Sequence, residues 1–262
     1  VVIVNWEDVQ HYALLSGGHD SLAATHYAME QDSTEAVLHL DTGTGIPENE
    51  QWVRDVCDEY GWPLRVEPTP EDYREFVTTV GFPGPGVHHW AYQRLKERQL
   101  RNIASEGSAM NHYWTGIRVA ESTRRMEFHD APVERDRDDR WVWVNPIHSW
   151  TDQDVEDYIE THDLPRNPVV EAIHRSGECY CGAFAARDEE LVDLQVHYPD
   201  HYDWLMDVEA DVREARGEGE ATSYWGHGEE SDEKLRALAA QYDDLDMKLC
   251  RSCEVVQDPS DW

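Results

Sequence analysis

Short apolar runs alternate with longer amphipathic stretches up to about residue 165. Strand character is found in QHYALL at 10–15, EAVLHLD at 35–41, PLRVEP at 63–68, NHYWTG at 111–116 and WVWVNP at 141–146. EAVLHLD is apolar enough to be buried on both faces, as strands of a parallel sheet are. Residues 20–31, 47–61, 88–105 and 151–162 read as helices. Pro47 near the start of the second and Gly61 at its end are the caps such a helix requires. Thr151, with Asp154 three residues on, predicts a capping-box start for the fourth. This alternation predicts βαβ units with right-handed crossovers. The expected fold class is therefore α/β: a mainly parallel, doubly wound sheet with helices on both faces.

Beyond residue 165 the pattern changes. DEELVDLQVHYPDHYDWLMDVEADVREARG is helical, no later run has strand character, and 217–233 reads as a polar loop. The expected organisation is an α/β domain over 1–165 and a helical C-terminal region over 166–262. With 262 residues, 40% of them hydrophobic and 10% aromatic, the chain has enough apolar side chain for a sizeable core, and no apolar run is long enough to span a membrane. No leader is visible, so the expected location is the cytoplasm. Asp and Glu number 55 against 22 Lys and Arg, a net charge of −33, and the only lysines are Lys96, Lys234 and Lys248. Dense carboxylates keep a protein hydrated where salt screens their repulsion, which points to a salt-loving organism or its virus. Under that reading the acidic surface does not exclude a nucleic acid as partner.

The candidate chemistry sits where strands meet helices. SGGHDS at 16–21 joins the first strand to the first helix. A glycine turn at a helix start presents backbone N–H groups and the positive helix end, which together hold an anion such as phosphate. Ser16 and Ser21 add hydroxyls, and Asp20 suits either Mg²⁺ or orientation of the loop. Asp41-Thr42-Gly43 and Gly116-Ile117-Arg118 also follow strands, so three loops meet at the carboxyl ends of the sheet, where ligands of such folds bind.

The loop resembles the PP-loop, S-G-G-x-D-S, of the adenine-nucleotide α-hydrolase-like superfamily. Four segments in order resemble the phosphoadenosine phosphosulfate (PAPS) reductase family within it: SGGHDS, LHLDTGTGIPE at 38–48, TGIRVAESTRR at 115–125 and NPIHSWTDQDVEDYIETHDLPRNP at 145–168. The resemblance implies a nucleotide-binding domain over 1–165. It implies that Ser16, Gly17, Gly18, Asp20 and Ser21 cradle phosphates, with His19 where the family often has Lys. It places Asp41 and Thr42 beside the nucleoside, and Gly116, Ile117 and Arg118 in an element whose arginine faces phosphate or sulfate. Glu121, Arg124 and Arg125 follow, the two arginines suited either to a polyanion or to surface pairing. Lys96 keeps a family position, whereas Ala91 stands where Cys is frequent. Asp20, Lys96 and Arg118 are the expected catalytic residues.

Five cysteines, as C-x-C at Cys179 and Cys181, C-x-x-C at Cys250 and Cys253, and the isolated Cys57, argue for a metal site rather than a disulfide scaffold. Four thiolates suit zinc or a [4Fe–4S] cluster, and resemblance to adenylylsulfate (APS) reductases leans toward the cluster. Cys57, in a helix, is expected in the core. Reductases of the family also end in a C-G-x-H-type segment that supplies the attacking thiol, and this chain ends CRSCEVVQDPSDW without one. The leading expectation is therefore an enzyme that binds ATP with Mg²⁺, splits the α–β phosphate bond and adenylylates a substrate in sulfur-related chemistry. The alternatives are an APS/PAPS reductase and a non-catalytic nucleotide-binding subunit. The acceptor is open, with nucleic acid among the candidates, and the chain is a candidate homo-oligomer.

Overall fold

The computed structural model describes residues 9–31, 33–107, 109–120, 131–136, 138 and 140–227. These divide into two compact units that interleave along the chain. The first holds the described residues up to Asp41, then Pro47–Pro68 and Glu97–Asn167. The second holds Thr42–Ile46, Thr69–Lys96 and the chain from Pro168 onward.

The first unit is built on a six-stranded sheet in the order β3-β2-β1-β4-β6-β5. Its strands are β1 (Val9–Leu14), β2 (Thr34–Asp41), β3 (Leu64–Pro68), β4 (Met110–Trp114), β5 (Val133–Arg135) and β6 (Trp141–Val144). All neighbours are parallel except β5 and β6. Tyr12 of β1 pairs with Ala36 on one side and Tyr113 on the other. The chain builds outward from β1 through β2 to β3, then returns to lay β4 on the opposite side of β1. Strand order therefore reverses between β1 and β4. Side chains alternate across the sheet. Tyr12, Leu38, Leu40, Tyr113, Trp141 and Trp143 meet Leu100 and Ile103 of α5 (Arg98–Ser105) on one face. The other face takes Val37 with Leu22 and Ala23 of α1 (His19–Met29), Val53 and Cys57 of α2 (Pro47–Tyr60), and Val155 and Ile159 of α6 (Asp152–Thr161). Helices thus cover both faces, and Cys57 lies in the core, where burial pushes its thiol up to about 12.

Local signals fix several boundaries. Pro47 opens α2 and Gly61, at φ 66°, closes it. The capping box of α6 is present, with Asp154 N–H donating to Thr151 Oγ1 at 3.2 Å and Thr151 N–H to Asp154 Oδ2 at 2.8 Å. Three features depart from the sequence reading. The predicted helix 88–105 is α4 (His88–Tyr92), one wide π turn (Gln93–Glu97) and then α5. A helix α3 (Tyr73–Val80) was unforeseen because it is short and holds the β-branched Val77, Thr78 and Thr79, though Asp72 caps it through Glu75 N–H at 3.1 Å. The edge strand β5 has three residues, too few for an alternation to register.

The second unit contains α3, α4, α7 (Pro168–Ile173), α8 (Arg187–His197) and α9 (Pro199–Arg216), with no strand among its described residues. Phe76, Val77, Leu191, Leu194, Leu205, Val208 and Trp225 form its core. A buried ion pair joins α8 to α9, with Arg187 Nη2 donating to Glu209 Oε1 at 3.0 Å. Among the described residues no helix is long and apolar enough to cross a membrane.

Candidate functional site

The loop after β1 is held in one shape by its own hydroxyls. Ser21 Oγ donates to Gly18 O at 2.8 Å and accepts from Ser16 Oγ at 3.0 Å and Ser16 N–H at 3.2 Å. Gly17 turns the chain at φ 95°, in the left-handed region where a side chain is strained. A Cβ there would stand 2.1 Å from Asn49 Oδ1 and 2.9 Å from Asn167 Nδ2. Gly18 is the N-cap of α1 and offers no side-chain cap, so the first N–H groups of the helix face whatever lies at its end. His19 Nδ1 lies 3.6 Å from Glu156 Oε1 on α6.

The loop after β4 packs directly on this turn. A Cβ on Gly116 would lie 2.6 Å from the Asp20 carbonyl carbon and 2.7 Å from Ser21 N, so only glycine fits. Ile117 N–H donates to Thr115 Oγ1 at 3.4 Å, and Thr115 Oγ1 donates to the buried Asn145 at 2.5 Å. Arg118 is 5% exposed and pairs with Asp20 at 2.9 Å and Asp152 at 2.8 Å while donating to Trp150 O at 3.2 Å. Burial works against its charge, but Asp20 and Asp152 outweigh it and raise its pKa. One oxygen of Asp20 is thus engaged by the arginine predicted to share its site. At the end of β2, Gln99 Nε2 donates to Asp41 O at 2.6 Å and to Glu67 O at 2.9 Å, tying β2 to β3. Since β2, β1 and β4 are adjacent and parallel, Asp41, the Ser16–Ser21 loop and Gly116–Arg118 all lie at the carboxyl ends of the strands. Asn49, Asn145 and Asn167 brace these loops. The sequence reading gave them no role, although two of them lie in the segment quoted for its resemblance.

The second unit carries the cysteine pair. Thr42, fully buried, donates its hydroxyl to Glu178 O at 2.7 Å and lies 2.9 Å from Thr44 Oγ1. Thr44 Oγ1 accepts from Tyr180 N–H at 3.0 Å and is placed to donate to Cys179 Sγ at 3.6 Å. Gly45 runs so close to Glu178 O that a Cβ would stand 2.8 Å from it. Lys96, carried by the π turn, pairs with Glu178 Oε2 at 2.8 Å. Burial opposes its charge, but Glu178 and the Cys179 sulfur prevail and its pKa is raised. Arg175 Nη2 donates to Cys179 O at 3.0 Å, and the guanidinium lies over the Tyr180 ring at 4.8 Å. The hydrogen bond from Cys181 pulls the Cys179 thiol down to about 5 against the effect of burial, with Lys96 and Thr44 acting the same way, while the Cys181 thiol is raised. Trp225 donates through Nε1 to Tyr180 O at 2.8 Å, which brings the chain beyond α9 back beside the cysteine pair.

Cys179 and Cys181 are in hydrogen-bond contact with each other, and Lys96 and Arg175 lie beside them. Cys250 and Cys253 lie outside the described residues, as do Glu121, Arg124 and Arg125. Among the described residues no group of three or more His, Cys, Asp or Glu is placed to hold a metal ion.

A doubly wound sheet with a glycine-turned loop at its point of strand reversal is the architecture of the nucleotide-binding α/β folds. Residues 10–181 match the phosphoadenosine phosphosulfate reductase domain, and the chain belongs to that family. It is 26% identical over 171 residues to a phosphoadenosine 5'-phosphosulfate reductase of Xanthomonas euvesicatoria pv. vesicatoria (strain 85-10), covering 62% of this chain and 67% of that protein. The protein of the same name from Alkalilimnicola ehrlichii is 26% identical over 156 residues, covering 59% and 62%. Among solved structures, the phosphate complex of the Candida auris PAPS reductase aligns at TM-score 0.48 and 17% identity, over 65% of this chain and 80% of that one. The U34-tRNA thiolase NcsA of Methanococcus maripaludis, with its [4Fe-4S] cluster, aligns at TM-score 0.42 and 12% identity over 96% and 82%. The family is one of PP-loop enzymes, and these bacterial relatives are named as reductases.

Proposed function

We propose that the protein binds ATP with its phosphates on Ser16–Ser21, splits the α–β phosphate bond and adenylylates an acceptor in sulfur-related chemistry. The observation that carries this is the first turn of α1, which has no side-chain cap and is approached by Gly17 and Gly18 rather than by side chains. Its N–H groups suit a leaving pyrophosphate, whose charge grows as the bond to the α phosphorus breaks. The acceptor attacks that phosphorus, the adenylyl group moves to it, and pyrophosphate departs. Arg118 fixes Asp20 beside the loop. A single carboxylate there fits Mg²⁺ that is held mainly by the nucleotide's own phosphates. Asp41 and the backbone that follows it would border the nucleoside, and Arg124 and Arg125 would serve a second anionic group. Lys96 would serve Cys179, and Cys179, Cys181, Cys250 and Cys253 would hold a [4Fe–4S] cluster, with zinc as the alternative.

A second reading, reduction of APS or PAPS to sulfite, is favoured by the names of the bacterial relatives and by the cysteine pair. The test incubates purified protein at high salt separately with ATP, APS and PAPS, supplying thiol reductant to the last two. Pyrophosphate and AMP-linked products from ATP support the first reading. Sulfite from APS or PAPS without pyrophosphate from ATP replaces it with the second. Neither product, with no nucleotide bound, removes both.

A further inference from the structure

A loop can offer its N–H groups to a phosphate only if its carbonyls point elsewhere and are satisfied there. Two buried asparagines supply that satisfaction. Asn49, on the first turn of α2, donates through Nδ2 to Ser16 O at 3.0 Å. Asn167, beyond α6, donates through Nδ2 to Gly17 O at 2.9 Å and to Asn49 Oδ1 at 2.8 Å. The two side chains are 1% and 0% exposed, so water does not replace them. The contact is also the reason Gly17 must be glycine, because a Cβ at Gly17 would enter the asparagine pair. Asn167 reaches a partner 150 positions earlier in the chain, so the clamp joins three separate segments at two successive peptides.

We infer that Asn49 and Asn167 are positioning residues for the phosphate loop: by holding the Ser16 and Gly17 carbonyls from behind, they keep the peptides in the orientation that binds anions. This rests on the reading that Ser16–Ser21 receives the phosphates. Without the clamp, those carbonyls lose buried donors. The peptides then relax by rotating, and a rotated peptide aims a carbonyl oxygen at the anion where an N–H belonged. The loss falls on phosphate groups and leaves nucleoside contacts alone. A merely structural role would weaken both equally.

The experiment measures binding of inorganic pyrophosphate, ATP and adenosine by calorimetry for the parent, Asn49→Ala, Asn167→Ala and the shape-matched Asn49→Asp, with thermal midpoints recorded alongside. Amide NMR shifts of Gly17 and Gly18 give a readout of peptide orientation. The expected result is pyrophosphate and ATP binding weakened by about tenfold or more, adenosine binding within about twofold, and displaced Gly17 and Gly18 signals in an otherwise unchanged spectrum. Variants that bind pyrophosphate like the parent, or that lose adenosine in the same proportion, overturn the inference and leave the phosphate reading standing. If the alanine variants do not fold, Asn49→Asp decides on the same criteria. A parent that binds none of these ligands overturns the phosphate reading, and the inference falls with it.

Discussion

Two buried histidines, one in each unit, make stability depend on pH in a direction that can be checked. His112 on β4 and His201 on α9 are 4% and 7% exposed, and burial lowers each imidazole from 6.5 to about 4. Above pH 6.5 both are neutral whether folded or unfolded and contribute no pH dependence. Between 6.5 and 4 the unfolded chain takes up the proton that the folded chain refuses, so stability falls as pH falls, and the loss is complete below 4. For His201 the difference corresponds to about 3 kcal/mol in full and to about 2 kcal/mol at pH 4.5. Many carboxylates titrate over the same range, so the parent's own acid sensitivity decides nothing. His201→Phe isolates the effect. It keeps a ring stacked on Trp204 at 5.1 Å and edge-on to Tyr180 at 5.3 Å, and it replaces an Nε2 that has no hydrogen-bond partner among the described residues. Urea unfolding of parent and variant at pH 7 and pH 4.5, in molar KCl to screen the carboxylates, gives the comparison. The variant should match or exceed the parent at pH 7 and be more stable by roughly 2 kcal/mol at pH 4.5. Parallel pH dependence of the two proteins would refute the argument, because it would mean that burial of His201 excludes no proton.

Three further outcomes are expected. The thermal midpoint should rise between about 0.1 M and 2 M KCl as repulsion within a chain of net charge −33 is screened, and an equal or higher midpoint at the lower salt would sink that idea. Gly17→Ala and Gly116→Ala should each abolish nucleotide binding measured by calorimetry, the first by forcing a Cβ to 2.1 Å from Asn49 Oδ1 at φ 95°, the second by forcing one to 2.6 Å from the Asp20 carbonyl carbon; binding at the parent's affinity in either variant refutes the assigned geometry of that loop. Anaerobically purified protein should hold one cluster or one zinc on its four paired cysteines, seen as brown colour or by elemental analysis, and protein supplied with both metals that holds neither and alkylates at Cys179 and Cys181 would end the proposal.

The legible parts of this chain are those whose partners are close in sequence or whose burial is complete. β2 and β6 announce themselves because strands covered on both faces are largely apolar, and the turn after β1 because paired glycines between a strand and a helix break both patterns. Thr151 and Asp154 predict their own box because both ends of the bond lie within one turn. What escaped notice depends on distant partners. Nothing in RNP distinguishes Asn167 from a turn residue, since its meaning is a carbonyl 150 positions away. Nothing near Thr42 in sequence shows that its hydroxyl bonds Glu178, 136 positions on. The π turn at Gln93–Glu97 is invisible to a pattern of apolar spacing, because the helices on either side of it keep their own periodicity. It nonetheless decides where Lys96 goes. One extra residue in the turn rotates every later side chain about the helix axis. Lys96 faces Glu178 in the second unit, while Gln99 and Leu100, a few positions on, face the sheet of the first. A straight helix through 88–105 would carry a single buried stripe. The wide turn breaks that stripe, so the apolar spacing of 88–105 does not show that Lys96 meets Glu178.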